Sequence, residues 1–174
     1  MIQKQAESMG VHLFQKEVSG DHYERQFLEA LMELKVKGVN GVVFGDIDVH
    51  QNRQWSENVC RKAGLKSYFP LWKIDQKIIL IDFLGLGFKA VVVALDSRFL
   101  NENDLGHTID DKWLDHLSVL NSGGKNPQIT YCGESGEYHT FVFDGPAFRS
   151  PIDFRMGEKV YREGFWLVDL QPSE

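Results

Sequence analysis

Gly41-Val42-Val43-Phe44-Gly45 runs directly into Asp46-Ile47-Asp48-Val49-His50, and this stretch decides the fold class. A short apolar run between glycines suits a buried parallel strand, and the polar residues behind it open a helix. Downstream, a polar helical pattern from about Gln51 to Ala63 closes at Gly64, and a second helix spans about Asp75 to Leu84. Upstream, Phe27, Leu28, Leu31, Met32 and Leu34 recur at helical spacing between Asp21 and Gly38. Residues 2–9 read as a helix end closed by Gly10, and Val11 to Val18 as a short strand. Phe88 to Leu95 contains AVVVAL, the strongest buried-strand candidate. Helix and strand alternating in this way predict a parallel sheet covered by helices.

The texture changes after Asp96. Asp110 to Leu120 reads as one more helix, and residues 137–144 and 153–170 as strands with turns. The expected fold is therefore α/β. A truncated parallel-sheet nucleotide-binding domain, residues 1–70, meets a smaller C-terminal α+β subdomain, residues 71–174, near Pro70.

The chain has 174 residues, 43% of them hydrophobic, with 12 Phe and 4 Trp, so it can bury a sizeable core. The formal net charge of -6 argues against a non-specific nucleic-acid binder, which needs basic patches. Cys60 and Cys132 form neither a disulfide framework nor a zinc pattern, and a reduced cytoplasmic setting is expected. The N-terminal MIQKQAESMG carries no apolar signal core. The most apolar stretch, Ile78 to Leu95, is interrupted by Asp82, Lys89 and a GLG turn, so no membrane span is expected.

Two constellations carry chemistry. Asp46, Asp48 and His50 follow a strand, where ligands of open parallel sheets bind. They could hold Mg²⁺ or orient a nucleotide, or simply cap the turn before the helix. Cys132-Gly133-Glu134-Ser135-Gly136-Glu137-Tyr138-His139-Thr140 sets two glutamates, a histidine and a cysteine among glycines. Side-chain alternation would put Glu137 and His139 on one strand face, suited to acid–base work or to a metal; the alternative is a glycine-rich turn into a polar edge strand. A third segment, Ser122-Gly123-Gly124-Lys125, has the letters of a phosphate loop. It follows a helix instead of preceding one, and Gly-Gly there is a common helix stop.

These segments together resemble the diphthine–ammonia ligase family, a branch of the ATP pyrophosphatases with an adenine-nucleotide alpha-hydrolase fold. The resemblance rests on GVVFGDID, Arg53, Cys60, FPLW at 69–72, GFKAVVV at 87–93, Leu105-Gly106 and CGESGEYHTFVFDGPAF at 132–148, in the family's order. KQAESMGVHL and GEKVYREGFWLVDL also look like family segments. The resemblance implies ATP and Mg²⁺, an adenylated carboxylate, and attack by ammonia to give an amide. In archaea and eukaryotes that carboxylate is diphthine on elongation factor 2; bacterial relatives would act on another. It places Gly45, Asp46 and Arg53 at the nucleotide and Cys132, Gly133, Gly136 and Thr140 at the acyl substrate. Glu134, Glu137 and His139 become the candidate catalytic groups. In a full-length version, Glu137→Gln is then expected to reduce acyl-dependent AMP formation sharply with folding intact.

The chain also departs from the family. Its SGGKDS loop, expected on a strand ahead of this sequence, is not among these residues. The expectation is a fragment, a late-start gene product, or a non-catalytic nucleotide- or substrate-binding module. A sheet lacking its first strand would expose an edge and favour homo-oligomers.

Overall fold

A computed structural model describes residues 1–17, 22–124 and 128–173. They form two compact units, Phe14–Ile74 and Met1–Leu13 joined with Asp75–Glu174.

The Phe14–Ile74 unit holds α2 (Tyr23–Val36), β1 (Gly41–Val43), α3 (His50–Ala63) and β2 (Lys66–Tyr68). β1 pairs with β2 in parallel, Gly41 opposite Lys66 and Val43 opposite Tyr68. The parallel partner expected for this strand is present, but full burial is not: Val43 is 68% exposed. The core of Leu31, Val59, Cys60, Ala63 and Leu65 packs against Val42 and Phe44. α3 stops where Gly64 turns left-handed (φ 67) and its N–H reaches Arg61 O, while Leu65 N–H closes on Cys60 O. Asp21, expected to open α2, lies outside the described residues, and His22 stands at the cap.

The other unit is the larger. It contains α1 (Ile2–Met9), α4 (Gln76–Gly85), β3 (Lys89–Asp96), α5 (Asp111–Ser122), β4 (Tyr138–Asp144), β5 (Phe154–Arg162) and β6 (Phe165–Pro172). Its sheet has the order β4-β3-β6-β5, and every pairing is antiparallel. This corrects the expectation that β3 belongs to a parallel sheet. Ala90, Val92 and Leu95 pack into one cluster with Trp113 and Leu117, and Val91 into another with Phe141 and Ile152. A strand covered on both faces is apolar throughout whichever way its neighbours run. Trp113 is fully buried at the centre of this packing. Truncating such a ring to Ala costs about 3–5 kcal/mol.

The helices of this unit start as the sequence suggests. Asp75 accepts the N–H groups of Lys77 and Ile78 at the head of α4, and Asp110 accepts Trp113 N–H at the head of α5. α1 ends at left-handed Gly10 and joins this unit through real bonds. Gln5 Nε2 donates to Val142 O at 2.7 Å and Ser8 Oγ to Ser150 O at 2.6 Å. No strand forms over residues 11–17, and Val18 lies outside the described residues. No helix among the described residues is long and apolar enough to cross a membrane.

Candidate functional site

Residues 130–137 wrap around a single carboxylate. Gly133 N–H reaches Thr130 O and Gly136 N–H reaches Gly133 O, forming successive turns with Gly133 at φ 67 and Gly136 at φ 86. Only glycine adopts such angles without strain. The turns drive Glu137 inward until it is 1% exposed. Its Oε1 accepts Thr130 N–H at 2.7 Å; its Oε2 accepts Thr130 Oγ–H at 3.0 Å and Ser135 N–H at 2.9 Å. Thr130 Oγ in turn accepts Glu134 N–H at 2.9 Å. A buried carboxylate is costly unless donors surround it, and here they do. Asp96 N–H donates to Glu137 O at 2.9 Å, which ties the loop to the end of β3.

Glu137 and His139 do not share a face. β3 and β4 shift register between Val92 and Ala94, so Thr140 lies opposite Val92 and His139 opposite Ala94. The irregularity leaves Tyr138 and Phe141 buried while His139 and Thr140 are both exposed. Tyr138 donates its hydroxyl to Tyr131 O. Burial, chiefly, holds its phenol far above the ordinary value, and the neighbouring Glu137 carboxylate pushes the same way.

Cys132 and Thr140, both expected at the substrate, come together on one cavity of 140 Å³, with Ile79, Leu80, Phe83 and Tyr138. Cys132 is anchored to α4: its N–H donates to Gln76 Oε1 at 3.0 Å and its thiol to Gln76 O at 3.3 Å. Nothing in the sequence marked Gln76 or Thr130, because both act through contacts far along the chain or inside a turn.

In the Phe14–Ile74 unit, Gly45 and Asp46 sit just beyond β1. Ser56 Oγ donates to Asp46 Oδ2 at 3.3 Å. Asp46 lines a groove of 690 Å³ with Tyr23, Phe27, Phe44, Trp55 and Ser56. Tyr23, Phe27 and Trp55 form a ring cluster with centroids 5.1 to 6.0 Å apart. Arg53 lies over Trp72 (4.6 Å) and Phe69 (4.9 Å) and donates Nε–H to Glu57 at 2.7 Å. The FPLW segment is thus the platform for this guanidinium. Lys73 takes φ 65 there, with its N–H on Ile47 O at 2.7 Å.

Among the described residues no group of three His, Cys, Asp or Glu side chains could hold a metal ion. Ser122 closes α5 and Gly123 caps it, so this end presents carbonyls, not N–H groups; Lys125 lies outside the described residues.

The sequence matches the diphthamide synthase N-terminal domain over residues 1–67 and the diphthamide synthase C-terminal domain over residues 75–172. Curated relatives named diphthine–ammonia ligase are also similar to the chain. The Homo sapiens protein is 31% identical over 137 residues, 76% of this chain and 49% of its own length. The Danio rerio protein is 28% identical over 162 residues, 84% of this chain and 62% of its own length. The Schizosaccharomyces pombe protein is 38% identical over 96 residues, 55% of this chain and 15% of its own length. The chain therefore spans less than two thirds of the length of these relatives.

Proposed function

Because the chain belongs to the diphthamide synthase family, we propose that it forms an amide from a carboxylate and ammonia, driven by cleavage of ATP to AMP and pyrophosphate. One carboxylate oxygen of the substrate attacks the α-phosphorus of ATP and displaces pyrophosphate. Ammonia then attacks the acyl carbon, AMP leaves with the bridging oxygen, and a proton is lost from nitrogen. The carboxylate is that of diphthine on elongation factor 2. The match of both family domains, in order, carries this assignment.

The side chains divide between the two steps. Gly45, Asp46 and Arg53 serve the nucleotide: the groove beside Asp46 is aromatic-walled, and Arg53 is a cation held rigid by two rings. Mg²⁺ on a nucleotide is commonly held by one or two carboxylates plus phosphates, and Asp46 fits the protein's share. When bound, the ion would neutralise phosphate charge. Cys132, Gly133, Gly136 and Thr140 shape the acyl side, with Glu134 and His139 as the groups able to take the ammonia proton. Glu137 contributes as a positioning residue, since its oxygens are spent on the loop.

The test supplies ATP, ammonia and diphthine-bearing elongation factor 2 to the chain and measures AMP. AMP released only when all three are present is the expected result. ATP binding seen as quenching of Trp55 fluorescence, absent in Trp55→Phe, but without AMP release, would instead establish a nucleotide-binding module. Neither binding nor AMP would overturn both.

A further inference from the structure

We propose that the turn at Trp72 carries a subsite for a polyvalent, phosphate-type oxyanion, held by Lys73 together with Arg53. The inference rests on the nucleotide role given to Arg53 above and deepens it: it adds a second cation and derives from the donors which class of group the pair takes.

Three basic groups gather on one ring. Arg53 Cζ lies 4.6 Å and Lys73 Nζ 5.2 Å from the centre of the Trp72 ring, and His50 stands edge-on to it at 5.2 Å. Phe69 supports the same guanidinium at 4.9 Å and meets Trp72 edge-on at 6.4 Å. Stacking uses the faces of a guanidinium and leaves its in-plane N–H groups to donate. Glu57 accepts from Nε, so the Nη groups stay available. Lys73 Nζ makes no hydrogen bond or ion pair with a described residue. Two like charges on one ring repel each other, and the single carboxylate of Glu57 does not balance both. In a chain of net charge -6 this is a local surplus of positive charge.

The backbone singles out the same residue. Lys73 adopts φ 65, and Glu163 is the only other non-glycine at positive φ among the described residues. Glycine would sit there without strain. Strain of this kind concentrates where a side chain clamps a ligand. The Lys73 N–H bond to Ile47 O, at 2.7 Å, fixes the point from which the side chain leaves the turn.

The donors select the occupant. A monocarboxylate fills one guanidinium fork with its two oxygens and leaves Lys73 unmatched. A cation is repelled, and an apolar ligand would strip water from the charges. A tetrahedral oxyanion with two or more charges offers acceptors to both the planar fork and the ammonium.

The experiment follows the indole N–H signal of Trp72 by NMR in the whole chain at constant ionic strength, with Trp72→Phe to assign it. Pyrophosphate should bind at least about tenfold more tightly than acetate. Lys73→Gly removes the cation and suits the left-handed turn, so the thermal midpoint should not fall while pyrophosphate affinity drops about tenfold. Lys73→Arg keeps the charge and should keep most of the affinity. An inorganic anion and the tail of a nucleotide share this chemistry, and ATP in a further titration tells them apart. Movement of the Trp55 indole signal together with that of Trp72 marks the tail, and movement of Trp72 alone marks the free anion. Acetate binding as tightly as pyrophosphate, unchanged pyrophosphate affinity in Lys73→Gly, or no response to pyrophosphate overturns the subsite. None of these titrations involves turnover. Lys73-dependent pyrophosphate binding in a chain that never releases AMP keeps the subsite and removes the ligase reading. AMP release with unchanged pyrophosphate affinity in Lys73→Gly does the reverse.

Discussion

Thr130 and Glu137 clasp each other at both carboxylate oxygens, the Thr130 N–H on Oε1 at 2.7 Å and the Thr130 hydroxyl on Oε2 at 3.0 Å. This pair closes the loop that carries Cys132, Gly133, Glu134 and Gly136. A group spent in this way cannot also hold substrate. Its effect is to make the loop ahead of β4 rigid.

Glu137→Gln should therefore destabilise the larger unit, contrary to the expectation from sequence of an intact fold. An amide offers one acceptor oxygen where two are used, and its NH₂ would face the Ser135 or Thr130 N–H groups. Loss of charge-assisted bonds inside a buried site costs about 2–4 kcal/mol. Urea denaturation followed by near-ultraviolet circular dichroism measures it. A midpoint equal to that of the wild type would return Glu137 to the list of substrate-facing groups.

Thr130→Val keeps the side-chain volume and removes the hydroxyl that links Glu134 N–H to Glu137. The single change should cost about 1–2 kcal/mol. Combined with Glu137→Gln it should cost less than the sum, with a coupling of about 1 kcal/mol, because the two residues share one bond network. Strict additivity would mean that the clasp does not form in solution.

How much of this was legible beforehand depends on the range of the interaction. The stops at Gly10 and Gly64 and the starts at Asp75 and Asp110 are local, and the sequence shows them. The parallel partner of β1 followed from its glycine-bounded apolar run. β2, the three residues Lys66–Tyr68, is too short to carry a pattern. The antiparallel neighbours of β3 were hidden because Val91 and Val92 are both buried, and burial on two faces carries no direction. The inward turn of Glu137 was hidden because Glu137 lies ahead of β4, in the turns at Gly133 and Gly136, where strand alternation does not apply. The residue types of Cys132–Thr140 mark the segment, but they do not separate the inward carboxylate of Glu137 from the outward imidazole of His139.

The two glycines of the loop should respond differently to alanine. A Cβ at Gly133 would lie 2.5 Å from the backbone oxygen of Tyr138, which has no freedom to withdraw. At Gly136 a Cβ would meet nothing within 4 Å, so only the left-handed backbone angle is penalised. Gly136→Ala should cost about 1–2 kcal/mol, and Gly133→Ala at least about 3 kcal/mol or a rearranged turn. Comparable thermal shifts in the two variants would contradict the tight approach at Gly133.

Asp96 makes stability depend on acid. Its side chain is 4% exposed and accepts Arg98 N–H at 2.9 Å and Arg98 Nε–H at 2.9 to 3.0 Å. The Arg98 side-chain hydrogen bond is the main force lowering its pKa below the ordinary 3.8; burial opposes it, and the Arg98 backbone N–H and charge assist. Asp144 is lowered likewise, first by its bond to Lys89. A carboxyl with a lower pKa in the fold than in the unfolded chain binds its proton more readily when unfolded. Its stabilisation is therefore fully present above the unfolded value and is lost as pH falls through the folded one. The urea midpoint should hold from neutral pH down to about pH 5 and then drop steeply below about pH 4. Asp96→Asn should start from a lower midpoint at neutral pH and show a shallower acid limb, because one of the groups that must be protonated is gone. An acid limb in Asp96→Asn as steep as in the wild type would show that the Asp96–Arg98 bonds do not set it.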